Sequence, residues 1–180
     1  MLREARVVVT LMFLSCAATL ALAEEPAFFY PDQENAGLDH AHPPSDAVLN
    51  ALLRTQQAKW AADRLKNRNH EELRGLFRVV NVHLSDPGAE SDEVVAGKFP
   101  MAGADCDWFW LVRVVSGHAE VILFANGDSL ELLVKRTNGY KDIRTSWGSA
   151  AGYTLTNIYR YDGSRYKQVH EFTKTERVIP

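Results

Sequence analysis

The sequence predicts an α+β domain that is mainly β, in which an antiparallel β-meander is packed by one N-terminal amphipathic helix. A helical stripe of apolar residues lies early in the chain, and strict alternation of side chains begins at Phe77. Short apolar runs then recur about every 10 to 13 residues. Turns such as Asn126-Gly127 and Asn138-Gly139 divide them, and Asn-Gly between apolar runs is typical of β-hairpins.

The first residues predict a secretory signal peptide over 1–23. Two arginines precede an apolar run of 16 residues, 7–22, and a small-x-small sequence ends at Ala23 before two glutamates. A membrane-spanning helix needs about 20 apolar residues, so we expect cleavage after Ala23 and a periplasmic or secreted protein. Two alternatives stay open: the run is retained as a membrane anchor, or the protein is lipid-anchored through Cys16.

The composition after cleavage limits the classes of partner. Removing 1–23, which holds two arginines and one glutamate, leaves 157 residues with 18 basic and 22 acidic side chains, enough for one domain. Such an acidic chain argues against a nucleic-acid partner, and no other run is apolar enough to span a membrane. Cys106 is then the last cysteine, which excludes an intrachain disulfide. A buried thiol, an intermolecular disulfide and a reactive thiol all stay open.

The mature chain is predicted to start with a flexible linker, 24–44, because four prolines and little periodicity leave it few residues to bury. Its aromatic cluster, 28–30, either docks on the body or simply follows the cleavage site. The folded domain is predicted over 45–180. Ser45 or Asp46 is expected to cap an amphipathic helix over 46–66.

A second, short helical turn is expected to begin at Asn69 and to end near Gly75. The alternation that follows predicts eight strands separated by turn residues. They are placed at 77–84, 92–97, 108–115, 118–125, 129–136, 141–148, 153–161 and 165–172.

The strands form two segments that match each other as blade-like units, near 77–125 and 129–172. Arg113 and Arg160 correspond at a separation of 47 residues, close to one four-stranded propeller blade. The run Tyr159-Arg160-Tyr161-Asp162-Gly163-Ser164-Arg165-Tyr166 resembles the closing segment of FG-GAP or VCBS-type repeats, as in small exported bacterial proteins of unassigned function. Two units cannot close a propeller, so one twisted sheet or two packed sheets are expected.

The resemblance implies a calcium site in the first turn of each unit. Calcium needs six to eight hard oxygen ligands, and the first turn offers Asp86, Glu90 and Asp92. The second turn offers only Asn138 and Asp142. The competing interpretation is that these side chains cap turns, and no cofactor is expected.

The motif Gly127-Asp128-Ser129-Leu130 is shared with GDSL hydrolases and follows an apolar strand. A nucleophilic serine needs a histidine and an orienting carboxylate, and the late Asp-x-x-His of that family is missing, since Lys167 stands three residues before His170. We therefore expect no catalytic residue and no enzyme.

Asp39-His40-Ala41-His42 is a candidate for the start of a metal site, because residues i and i+2 of an extended chain share a face. The spacing of the other histidines identifies no third ligand. A solvated tract is the competing interpretation.

Aromatic side chains are the candidate binding residues: Trp108, Trp110, Tyr159 and Tyr161. Trp108 and Trp110 are expected on one face of their strand and Phe109 on the other. An exposed binding strip and a core buried on both faces are the alternatives.

The sequence as a whole predicts an exported, non-enzymatic binding domain of the bacterial cell envelope, whose partner is another envelope or extracellular protein. Loops around 86–92, 98–107 and 148–153 are expected to supply the surface. An envelope hydrolase or a metal-dependent enzyme is the alternative.

Overall fold

A computed structural model describes residues 28–31, 36–65, 68–85, 91–103 and 106–175. The chain is mainly β, as predicted, with two antiparallel sheets and three short helices among these residues. In chain order the elements are β1 (Phe28–Phe29), α1 (Asp46–Leu53), α2 (Gln56–Arg64), α3 (His70–Arg74), β2 (Phe77–Val82), β3 (Ser91–Gly97), β4 (Asp107–Val115), β5 (His118–Gly127), β6 (Ser129–Thr137), β7 (Tyr140–Gly148), β8 (Tyr153–Tyr161) and β9 (Tyr166–Thr175).

The eight predicted strands are all present, with ends that differ by no more than three residues. The first sheet has the order β2-β3-β4-β5, and the second has the order β1-β6-β7-β8-β9. Within each sheet consecutive strands pair as antiparallel hairpins, and β1 adds to the edge of β6. Asp128 alone separates β5 from β6, so the chain leaves one sheet and enters the other without a loop.

The buried side chains form two cores, one on each face of the first sheet. In β4, Phe109 and Leu111 belong to the core between the two sheets, and Trp110 and Val112 belong to the core that includes residues of α1 and α2. The period-two alternation of a strand puts successive side chains on opposite faces, which confirms the predicted split between Trp110 and Phe109. β4 is therefore buried on both sides.

The single helix predicted over 46–66 is wrong, because the chain forms α1 and α2 with a break at Thr55. The Thr55 hydroxyl donates to the Leu52 carbonyl at 2.6 Å and accepts from the Ala58 N–H at 3.4 Å. One side chain thus satisfies the end of the first helix and the start of the second. The Ser45 cap is confirmed, as is the turn from Asn69 to Gly75.

The flexible linker predicted over 24–44 is also wrong for its described residues, 28–31 and 36–44. Phe29 is fully buried opposite Leu130 of β6, so the aromatic cluster docks on the body. His42 and Val79 exchange two backbone hydrogen bonds, of 3.0 and 2.9 Å, along β2. Burial of apolar side chains and main-chain hydrogen bonds together offset the entropy that this segment loses when it becomes ordered. The composition of the segment did not indicate these contacts.

Candidate functional site

The tryptophans of β4 divide between core and surface. Trp110 is fully buried, with ring centroids 5.4 Å from Phe124 and 5.6 Å from Phe77. Trp108 is partly exposed, and its ring lies 6.5 Å from that of Trp60 on α2. Trp110 therefore cannot contact a partner at the surface. The prediction of an exposed strip that contains both tryptophans is wrong.

Tyr159 and Tyr161 are likewise buried, with 6% and 5% of their surfaces exposed. Both belong to the core between the sheets, where inward residues of β8 face the first sheet. The Tyr161 hydroxyl accepts a hydrogen bond of 2.9 Å from Arg113 of β4. These two tyrosines connect the sheets and do not form an external binding surface.

Asp92 is the only member of the predicted calcium turn within the described residues, since Asp86 and Glu90 lie outside them. The predicted cleavage site at Ala23 and the alternative lipid anchor at Cys16 also lie outside the described residues. Its carboxylate is 1% exposed and lies opposite Arg113 in the β3–β4 register, 3.8 Å from the Arg113 Nε. The Leu84 N–H donates to its other oxygen at 3.4 Å. Asp92 thus faces a cation and a backbone donor inside the protein.

The second unit holds a similar pair. Asp142 of β7 is also 1% exposed, and the Nε of Arg160 on β8 lies 3.3 Å from its carboxylate. In both units the aspartate lies near the start of the second strand and the arginine near the end of the third. Among the described residues, no group of three or more histidine, cysteine, aspartate or glutamate side chains is arranged to hold a metal ion.

The Gly127-Asp128-Ser129-Leu130 motif forms the crossing between the sheets, so the hairpin predicted at Asn126-Gly127 is wrong. The Asp128 N–H donates to the Ser146 carbonyl at 2.7 Å, and the Asp128 carboxylate accepts from the Gly148 N–H at 2.7 Å. A Cβ on Gly127 would lie 2.9 Å from the Ser146 oxygen, so glycine is needed there for close approach. Ser129 is 7% exposed, and within the described ranges its hydroxyl has no hydrogen bond to a histidine.

His40 and His42 are exposed and line an open cleft of about 290 Å³ beside β2. Gly37, Asp39, Val80 and Asn81 complete its lining. The His42 Nδ1 lies 2.9 Å from the Pro43 carbonyl oxygen, which orients the ring. The cleft thus places one carboxylate and two imidazoles at the edge of the first sheet.

Glu93, which pairs with Asn81 across β2 and β3, is a buried carboxyl next to this cleft. It is 8% exposed, and within the described part of the chain its Oε2 has no hydrogen-bond partner. Burial raises the pKa of Glu93, and the electrostatic interaction with His42 acts in the opposite direction. Folding therefore shifts the equilibrium of this carboxyl toward its protonated form relative to the unfolded chain.

Glu93→Gln is expected to raise stability near neutral pH by about 1 kcal/mol and to leave it unchanged in acid. The carboxyl of Glu93 holds its proton to a higher pH in the folded protein than in the unfolded chain. The contribution of Glu93 to the free energy of unfolding is therefore complete below the unfolded pKa and is lost as pH rises through the folded pKa. Urea unfolding from about pH 4 to about pH 8 measures the difference. Glu120→Gln, on the exposed surface of β5, is the control; an equal gain there would contradict this explanation.

The edge strand with the most exposed side chains in the described structure is β9. It is ten residues long, pairs with β8 on one side, and has no described strand on the other. All eight side chains of 167–174 are exposed, including Val169 at 46% and Phe172 at 44%. We call the unpaired side of 167–174 the free edge of β9. The alternation of the sequence predicted this strand but did not indicate that it lies at an edge.

Cys106 is partly exposed, and its Sγ lies 3.7 Å from the Nδ2 of Asn126.

Among the described residues, no helix has both the length and the apolar composition needed to cross a membrane. Comparisons with known protein families, with curated proteins and with solved structures find no match to the chain.

Proposed function

We propose that this chain is an exported, non-enzymatic binding domain of the bacterial cell envelope, and that it binds another envelope or extracellular protein. The observation that carries the proposal is the free edge of β9. Its backbone N–H and C=O groups offer a template on which an extended segment of a partner adds as a further strand.

The other described sheet edges are partly covered or less exposed. Backbone bonds from His42 occupy part of the outer side of β2, and β1 covers part of β6. The strand β5, at the other edge of the first sheet, is also ten residues long and pairs with β4 alone, but four of its ten residues are buried. The side chains of 167–174 are all exposed, and Val169 and Phe172 add exposed apolar surface beside the free edge of β9. Main-chain bonds supply affinity in strand addition, and side chains of alternate residues supply specificity.

We further propose that the two four-stranded segments are related as blade-like repeats of the FG-GAP or VCBS type, with α1 and α2 covering the outer face of the first. Two pairs, Asp92–Arg113 and Asp142–Arg160, support the repeat because each joins a buried aspartate to an arginine on the next strand. The presence of Val48, Leu49 and Leu52 in one core with Trp110 supports the helical cover.

Proline substitutions at two neighbouring positions test strand addition. His170 and Glu171 pair with Ile158 and Asn157 of β8, and the N–H groups of adjacent strand residues point to opposite sides. One of His170→Pro and Glu171→Pro therefore removes a bond to β8 and costs about 1–3 kcal/mol. The other removes only a free-edge N–H, and we expect it to keep its melting temperature and to lose partner capture from envelope extract.

The two prolines are matched controls for each other. The variant that retains stability decides the question, because its loss of capture cannot come from unfolding. Strand addition is wrong if that variant captures the same partner as the wild type with equal yield. The proposal of a binding domain is wrong if the wild-type protein captures no partner.

Export and the absence of catalysis need separate tests. Mass spectrometry of the protein from the producing cell is expected to show a chain beginning at Glu24; a chain that retains 1–23 contradicts cleavage after Ala23. Ester hydrolysis that disappears in Ser129→Ala would favour the alternative hydrolase function.

A further inference from the structure

We propose that the exposed face of α2 docks on an anionic lipid bilayer, independently of the free edge of β9. Trp60, at the centre of this face, is 51% exposed. The charged residues Lys59 and Arg64 are exposed beside it, and Ala58 and Ala61 hold the opposite side of the helix in the core. We call Trp60 and the exposed basic residues that flank it in the sequence, Arg54, Lys59, Arg64 and Arg68, the cationic tryptophan surface. Asp63 is the one exposed acidic residue of α2.

The Trp60 indole is held in a defined position although half of it is open. The Arg64 guanidinium carbon lies 4.0 Å from the ring centroid, and the Trp108 ring lies 6.5 Å away. Trp108 in turn borders the loop after β3, because a Cβ on Gly103 would lie 3.2 Å from its Nε1. The same loop carries Phe99, which is 85% exposed, next to the exposed Lys98.

The charge of this surface is opposite to that of the protein. Residues 54–68 contain five basic side chains and one acidic side chain, whereas the whole chain carries a net charge of −3. Asp46 and Glu71, on the neighbouring helices, are both paired with Arg74. Basic side chains on a surface of an acidic protein provide charge complementarity to an anionic partner.

A lipid headgroup layer fits this arrangement better than an acidic protein does. An acidic protein partner would have to supply a fitted pocket for each exposed aromatic side chain, whereas a headgroup layer supplies none and needs none. Trp60 is exposed on a helix and Phe99 on a separate loop. Indole rings favour the headgroup level of a bilayer, and lysine and arginine bind anionic lipids without fixed geometry.

Vesicle co-sedimentation tests the proposal with a protein of residues 24–180, which contains every described element. Vesicles of phosphatidylcholine mixed with phosphatidylglycerol are expected to bind the protein, and vesicles of phosphatidylcholine alone are not. Trp60→Ala is expected to lower the partition coefficient about tenfold, through the lost burial of indole surface. Lys59→Gln is expected to lower it about fivefold, and high salt is expected to abolish binding.

Matched variants on the second sheet serve as controls. Val134 is 86% exposed on β6 and Lys135 is exposed next to it, so Val134→Ala and Lys135→Gln remove comparable side chains elsewhere. Both are expected to bind as the wild type does, and far-ultraviolet circular dichroism checks that every variant folds. Equal binding to both kinds of vesicle, no binding to either, or equal losses in the control variants would overturn the proposal; an acidic protein captured through Trp60 without vesicle binding would do so as well.

Discussion

Trp110→Ala is expected to lower the free energy of unfolding by about 3–5 kcal/mol, one of the two largest losses that we expect from a single substitution. The side chain is fully buried among Phe77, Trp108 and Phe124 in the core on the helix side of the first sheet. Its Nε1 has no hydrogen-bond partner among the described residues, so the loss is one of packing and transfer. Urea unfolding followed by circular dichroism measures it.

Trp60→Ala is the matched control, because it removes the same side chain from a site that is half exposed. We expect a loss of about 1 kcal/mol or less from this variant, since little of the indole leaves a packed environment. Losses of equal size in the two variants would contradict the division of the tryptophans into core and surface.

Arg113→Met is expected to cost about 3–5 kcal/mol, because it leaves the carboxylate of Asp92 in the protein interior without the charge of the arginine. The guanidinium also donates to the Tyr161 hydroxyl at 2.9 Å, and its carbon lies 4.8 Å from the centroid of the Tyr140 ring. Methionine keeps an apolar stem of similar length, so the charge is the main feature removed. The free energy of unfolding in urea again provides the measurement.

The double variant Asp92→Leu with Arg113→Met is expected to recover most of this loss, since apolar replacement of both members of a buried ion pair removes the buried carboxylate together with the arginine that faces it. Arg144→Met is the surface control: Arg144 is 43% exposed and pairs with Glu131, and such pairs contribute about 0–1 kcal/mol. Failure of the double variant to exceed Arg113→Met in stability would show that the charge of Asp92 is not the cause.

Local backbone chemistry was readable from the sequence. Asn138 and Gly139 adopt positive φ, 51° and 80°, as the predicted hairpin turn requires. Ser45 and Asn69 cap helices through their own side chains, as their positions before helical runs predicted. The strands follow the alternation of apolar residues because the side chains of a strand alternate between its two faces. Each of these features depends on residues within a few positions of each other.

Other features depended on contacts between distant parts of the chain. Asn126-Gly127 has the composition of a hairpin turn, yet the bonds of Asp128 to Ser146 and Gly148 make it a crossing between sheets. Alternation also could not distinguish Trp110 from Trp108, since both lie on one face and only the position of the helices determines which is covered.

The sequence by itself determined the strands, the helix caps and the turn at Asn138-Gly139, because propensity, periodicity and backbone dihedrals act over short separations. The tertiary structure decided that Phe29 docks beside β6, that Asp92 faces Arg113 and that β9 lies at an edge. Strand neighbours and sheet edges are set by long-range pairing and by the burial of shared apolar surface, and neither is encoded within a local window of residues.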